Sequence, residues 1–315
     1  MIENNTADKA MPKPYRFFLD GLGDDSRFYG CHPLLNFTYF TAVIGITMFA
    51  NHPVILAASL LCAWGYSLLL RGGKALRFNA GITCVCMIVI PFLNILNVHN
   101  GVTVLFYLNG NRVTAEALTY GFVMAAMIAG MLIWFSCFQV IVTADKFIYL
   151  FGRFAPVIAM TLSMVFRFIP LLQERFKEIS AGQKCMGRGI KGRGIIFTLR
   201  QAAKEVSILI AWSLEASIET ADSMESRGYG LRGRTSFHLY KLSRDEAILW
   251  IVLLILACGS AASCVSGAMS IFYYPQMILP RPGALTLAGM LCYGALLLIP
   301  PRMDWKGRKN GSNRL

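Results

Sequence analysis

Six apolar stretches, each close to the length of a bilayer crossing, constrain this chain more than any other feature. They run roughly over residues 35–50, 54–70, 80–96, 117–142, 247–268 and 283–299, and none contains Asp, Glu, Lys or Arg. In lipid every backbone polar group must be satisfied within the segment, so runs of this kind fold as helices. Composition agrees, with 56% hydrophobic residues, 15% charged residues and a mean hydropathy of +0.53. The expected class is an all-α integral membrane protein with about six transmembrane helices plus long cytoplasmic amphipathic helices.

A seventh apolar stretch, 154–172, carries Arg167 in its middle and prolines at 156 and 170. Charge placement decides how it is read. With six crossings and a cytoplasmic N-terminus, 28 basic residues fall on the cytoplasmic side, leaving Arg112 and Arg281 outside. Passing 154–172 through the membrane would put 19 outside, against the positive-inside tendency. The stretch is therefore expected at the inner membrane surface. The organisation that follows is a cytoplasmic segment 1–34, a four-helix region 35–143, coupling helices over 144–246, two closing spans over 247–300 and a basic tail 301–315. Both termini are expected in the cytoplasm of a cell-membrane protein.

The formal charge of +13 thus reads as a cytoplasmic face in contact with the bilayer, not a nucleic-acid groove, because no run interleaves clustered Lys/Arg with exposed aromatics. Seven of the nine cysteines sit inside apolar runs, and the four histidines are scattered, so no metal or disulfide framework is expected. The polar start lacks the apolar core of a secretory signal. Intramembrane ionisable groups mark ion pathways, and their absence here argues against a proton-coupled carrier. The one Gly-Lys dipeptide, Gly73-Lys74, is followed by Ala75 and preceded by Leu68 where a phosphate-binding loop needs glycine. No catalytic residue and no cofactor are expected in this chain.

Small residues recur at helix-packing spacing at Gly121, Ala125 and Ala129, and again at Ala284, Ala288 and Cys292. Both ridges are expected to serve internal packing. Asn94, Asn97, His99 and Asn100 at the end of the third run leave open a second reading, a permease that binds solute between its own spans.

The cytoplasmic region is the informative one. Thr198 to Arg227 has apolar or small residues at Leu199, Ala203, Val206, Ile210, Leu214, Ala221 and Met224, with Glu215, Glu219 and Asp222 on another face. Two segments end with arginine followed by glycine, Arg188-Gly189 and Arg227-Gly228, a pattern that suits helix termination. Met224-Glu225-Ser226-Arg227-Gly228-Tyr229, preceded by Ala221-Asp222, resembles the second Ala-Arg-Gly motif of the transmembrane T components (EcfT/CbiQ-like) of energy-coupling-factor transporters. Arg167-Phe168-Ile169-Pro170, Glu174, Gln183 and Gly187-Arg188-Gly189 resemble that family's first coupling segment.

The resemblance implies a scaffold without its own ATPase activity, whose arginine-tipped helices dock into two cytoplasmic ABC-type ATPase subunits. ATP and magnesium would bind in those partners, and a small membrane subunit would capture the substrate, a vitamin or a metal ion. On this reading Arg188 and Arg227 dock, assisted by Gly187, Gly189, Glu225, Ser226 and Gly228, while Arg167, Pro170, Glu174 and Gln183 belong to the coupling segment. A further Gly-Arg-Gly at Arg193 leaves the first docking arginine open between Arg188 and Arg193.

Overall fold

The computed structural model describes residues 27–98, 101–108, 111–152, 155–187, 194–229, 242–271, 273 and 283–312. In chain order the elements are α1 (Arg27–Gly30), α2 (Pro33–Phe49), α3 (Pro53–Arg71), α4 (Gly73–Asn97), β1 (Val104–Leu108), β2 (Asn111–Thr114), α5 (Ala115–Ile141), α6 (Ala144–Gly152), α7 (Pro156–Cys185), α8 (Ile195–Ser226), α9 (Arg244–Val265) and α10 (Ala284–Ser312). The chain divides into two compact units, 1–143 with 240–315, and 144–239.

Helix limits in the first unit follow local chemistry. Proline occupies the first turn of α2 and α3, where its missing N–H costs nothing. His32 Nδ1 accepts from the Leu34 N–H at 3.3 Å, and Gly72 takes φ 61° to turn α3 directly into α4. Ser243 and Glu246 form a reciprocal capping box at the start of α9, and Glu246 Oε1 also accepts from the His32 N–H at 3.1 Å.

The core of this unit is aromatic. Phe28, Tyr39, Phe40, Tyr66, Trp134 and Tyr293 are all buried, and Trp134 meets Tyr39, Phe40 and Tyr66 at centroid distances of 6.1, 6.3 and 6.2 Å. Inside it, Thr47 Oγ1, Ser59 Oγ and Tyr293 OH lie within 2.6–3.3 Å of one another, and Trp134 Nε1 donates to Ser59 Oγ at 3.1 Å. Four helices, two of them distant in sequence from the first pair, thereby share one satisfied polar knot. Arg71, at the end of α3, donates to Ser136 Oγ at 2.7 Å and to the Ser136 carbonyl at 3.2 Å.

The first small-residue ridge packs internally, as expected. A Cβ at Gly121 would stand 2.8 Å from Pro91 Cα, and Ala125 and Ala129 are fully buried. The second ridge is different: Ala284 and Ala288 are exposed, and the close approach on α10 comes at Gly289, against Ser263 and Met269. A small-xxx-small pattern selects a face able to pack closely, and here the neighbouring face of α10 does so.

Sequence reading assigned no strand to the segment between α4 and α5, yet β1 and β2 form an antiparallel ladder there. The signal was present in Asn109-Gly110 between an apolar-aromatic run and Arg-Val-Thr. Glu116, in the first turn of α5, accepts from the Thr103 N–H at 3.1 Å and from the Thr103 hydroxyl, tying down the approach to the ladder.

Among the described residues six helices are long and apolar enough to cross a membrane, but the set differs from the sequence reading by one exchange. Val157–Cys185 qualifies, since α7 runs unbroken through Pro170, whereas α2 is an apolar helix of 17 residues, at the lower limit of a span.

In the second unit α7 and α8 run antiparallel, joined by Gln201 Nε2 donating to Gln183 Oε1 at 3.0 Å and by Arg175 lying 5.2 Å from the Trp212 ring centroid. The burial pattern of α8 is unusual. Leu199 is 71% exposed, Leu214 62% and Ile218 64%, while Gln201 and Glu205 are buried. Two helices in a layer cover only one stripe of each other, and the wide apolar face of α8 is left outward.

Candidate coupling site

The end of α8 is built as expected for a tip. Gly228 takes φ 78°, its N–H donates to the Glu225 carbonyl at 2.9 Å, and the Tyr229 N–H reaches back to the Met224 carbonyl at 3.0 Å. These two bonds satisfy carbonyls of the last turn and stop the helix sharply. Arg227 stands at the stop, exposed, directly after exposed Glu225 and Ser226, and the Ser226 Oγ donates to the Ser223 carbonyl at 2.9 Å. An exposed guanidinium at a helix C-terminus is placed to pair bidentately with an outside acceptor.

The end of α7 follows the same logic up to Gly187, which takes φ 73° and donates to the Lys184 carbonyl at 3.0 Å. Arg188, Gly189 and the alternative Arg193 lie outside the described residues, so the choice between the two arginines rests on sequence alone. Because α7 and α8 are antiparallel, Gly187 lies beside the start of α8 and Arg227 beyond its far end. Thirty-two helical residues separate those ends by about 48 Å.

Of the coupling-segment residues, Arg167, Pro170 and Glu174 are exposed along α7. Gln183 is buried and holds the two helices together through Gln201, a structural contact and not an outward one. Sequence reasoning passed over Gln201, Glu205, Arg175 and Trp212. Their spacing, with Glu205 and Trp212 at i+4 and i+11 from Gln201, marks one stripe of α8, but a polar stripe looks like solvent-facing surface until a neighbour is placed on it.

Of the polar residues behind the permease reading, Asn97 donates to its own helix at the Leu93 carbonyl at 2.8 Å, and Asn94 Oδ1 is buried without a hydrogen-bond partner among the described residues. His99 and Asn100 lie outside the described residues. Among the described residues no three His, Cys, Asp or Glu side chains gather closely enough to hold a metal ion.

Comparison with known proteins gives a consistent picture. The chain is 31% identical over 100 residues to the energy-coupling factor transporter transmembrane protein EcfT of Lactobacillus helveticus, covering 31% of this chain and 36% of that one. It is 33% identical over 104 residues to the transmembrane protein EcfT 1 of Listeria monocytogenes, covering 32% and 39% respectively. The aligned region thus spans well under half the length of these relatives. A far longer match comes from the profile of the CbiQ family, described as cobalt transport protein, over residues 32–238, from α2 through the whole helical layer that carries Gly187 and Arg227. The chain therefore belongs to the CbiQ family of cobalt transport proteins, as an EcfT/CbiQ-like multi-pass membrane component.

Proposed function

We propose that this chain is the membrane transducer of an ATP-driven importer of the energy-coupling-factor type. Two cytoplasmic ABC-type ATPase subunits would receive its arginine-tipped helix ends, and a small membrane subunit would capture the solute. The observation that carries the reading is the pair of glycine-terminated ends at opposite extremes of the α7–α8 layer, separated by about 48 Å. One docking point could serve a single partner, whereas two at that separation suit two subunits that close on each other. ATP binding would draw the ATPases together, and the rigid helices would pass that motion to the capture subunit. The exposed apolar faces of α7 and α8 offer that subunit and the lipid a surface to pack on.

ATP and magnesium belong to the partners in this scheme, which also fits the lack of any phosphate-binding loop in the sequence. The charge distribution supports a cytoplasmic location for both termini and for the α7–α8 layer in the cell membrane. Solute identity is set by the capture subunit, with vitamins and transition-metal ions both compatible.

The test is affinity co-purification in mild detergent of wild type, Arg188→Ala, Arg193→Ala, Arg227→Ala and the 188/227 double variant, followed by ATPase and uptake assays. Two ATPase subunits accompanying the wild type, with coupling lost in the Arg227 variant and in one of the other two, is the expected result. If no ATPase ever associates, the transducer reading is wrong.

A further inference from the structure

Where α3, α4 and α5 meet at one end stands a cation with no carboxylate paired to it among the described residues. The guanidinium of Arg71, the last residue of α3, donates to the Ser136 hydroxyl at 2.7 Å and to the Ser136 carbonyl at 3.2 Å. It also lies 5.9 Å from the centroid of the Phe78 ring on α4. A guanidinium has five N–H donors, so these bonds occupy two and leave the charge itself uncompensated. Arg71 is partly buried, and a partly buried charge is costly until an opposite charge reaches it.

All three helices are long and apolar enough to cross a membrane, so the end they share lies at the edge of the hydrocarbon. The anions within reach of an arginine there are lipid phosphates, and a guanidinium fork pairs with phosphate through two parallel bonds. Two further features add positive potential at the same end. Arg77 is exposed on the second turn of α4, and the N-cap of that helix, Gly72, supplies no side chain to satisfy the first-turn N–H groups. Beside Arg71 an uncovered apolar stripe begins: Phe78, Val85, Val89 and Phe92 recur at i, i+7, i+11 and i+14 on one face of α4 and are 44–60% exposed. Phe78 to Val89 is a rise of about 16 Å, against about 15 Å for the hydrocarbon of one leaflet.

We propose that this corner binds one anionic phospholipid, its headgroup phosphate on Arg71 and an acyl chain along the stripe from Phe78 to Phe92. Ser136 fixes the guanidinium, Phe78 backs it, and the phosphate takes N–H groups that Ser136 leaves free and neutralises the charge. Zwitterionic phosphatidylcholine offers the same phosphate but brings a quaternary ammonium into a region already made positive by Arg77 and the start of α4, which sets the preference for a net anion. The distribution of basic residues puts this turn on the cytoplasmic side, where anionic headgroups attract juxtamembrane arginines. The inference goes beyond the transducer reading and needs only that the chain spans a membrane.

The test is native mass spectrometry of the full-length protein in mild detergent, titrated with phosphatidylglycerol or phosphatidylcholine of identical chains. Wild type should bind the first phosphatidylglycerol about tenfold more tightly than the first phosphatidylcholine, the size expected of one charge-assisted hydrogen bond. Arg71→Gln should abolish that preference. Arg71→Lys keeps the charge and loses the fork, and should lower the preference about threefold, so it carries the same test if Arg71→Gln fails to fold. Two other substitutions should leave the preference at the wild-type level: Ser136→Ala, which removes the hydroxyl acceptor and keeps the guanidinium, and Arg302→Gln, which removes an exposed arginine from α10.

The proposal is overturned if wild type shows no preference for phosphatidylglycerol, or if both Arg71 variants retain it undiminished. It is also overturned if Arg302→Gln weakens the preference as much as Arg71→Gln, because surface charge at large then attracts the lipid. The same loss in Ser136→Ala would mean that Arg71 acts only by holding α5. Glycerol phosphate, the same anion without chains, should not displace the bound lipid, and displacement would make this a site for a soluble anion instead. None of these outcomes depends on whether an ATPase associates, so failure here is distinct from failure of the transducer reading.

Discussion

Replacing Gly121 by alanine should destabilise the membrane unit, whereas the same change at Gly130, nine residues along the same helix and on its opposite face, should not. At Gly121 the added Cβ would stand 2.8 Å from Pro91 Cα, 3.2 Å from Pro91 Cβ and 3.3 Å from Asn94 Cβ, where ordinary contact begins at 3.4 Å. Backbone cannot swing aside as a flexible side chain can, so α4 and α5 must part by roughly half an ångström. A gap of that size forfeits about a quarter of each dispersion well along the contact. Overpacking of this kind costs about 1–3 kcal/mol, offset by about 1 kcal/mol of helix propensity gained over glycine. The net expectation is a loss of up to about 2 kcal/mol. At Gly130 the nearest atoms are those of Leu60 at 4.0 Å, so the propensity gain should survive as neutrality or as stabilisation by up to about 1 kcal/mol. Equilibrium unfolding of purified protein in mixed micelles of mild detergent and SDS measures both. Equal effects of the two substitutions, or a stabilising Gly121→Ala, would refute the claim that α4 and α5 touch backbone to backbone at Pro91.

The hydroxyl knot predicts that Tyr293→Phe and Thr47→Val each cost about 1 kcal/mol in the same assay and that the double variant costs less than their sum, because the two share one bond of 2.6 Å. Stability should fall as pH drops below the ordinary histidine value of 6.5. Burial lowers the pKa of His32, opposed by the charge of Glu246, and burial alone lowers that of His52, so the unfolded chain binds more protons in this window. Protonating His32 also removes the acceptor used by the Leu34 N–H, and thermal unfolding of the His32→Gln, His52→Gln double variant should show a flatter acid limb. Gly228→Ala should cost about 1 kcal/mol at the α8 terminus, where φ is 78°, and should weaken ATPase co-purification without changing expression. Retained binding at wild-type level would mean that the sharp stop after Arg227 does not position it.

Much of this protein is legible along its chain. Apolar runs free of charge demand helices in lipid, because no other open structure satisfies the backbone there, and Pro33, Pro53, Gly72, Ser243 and Gly228 mark helix limits by local sterics and capping. The terminus at Arg227 was readable for the same reason: a glycine stop depends on a few adjacent residues. What needed tertiary structure is which faces are covered. Gln183, Gln201 and Glu205 look like surface until α7 and α8 are laid side by side, and the apolar residues Leu199, Leu214 and Ile218 look like core until the layer proves too thin to bury them. The bond between Thr47 and Tyr293 joins residues 246 apart, and the clash awaiting a side chain at Gly121 comes from Pro91 on another helix. Periodicity defines the faces of a helix, but burial is a property of pairs of helices, and only their packing decides it.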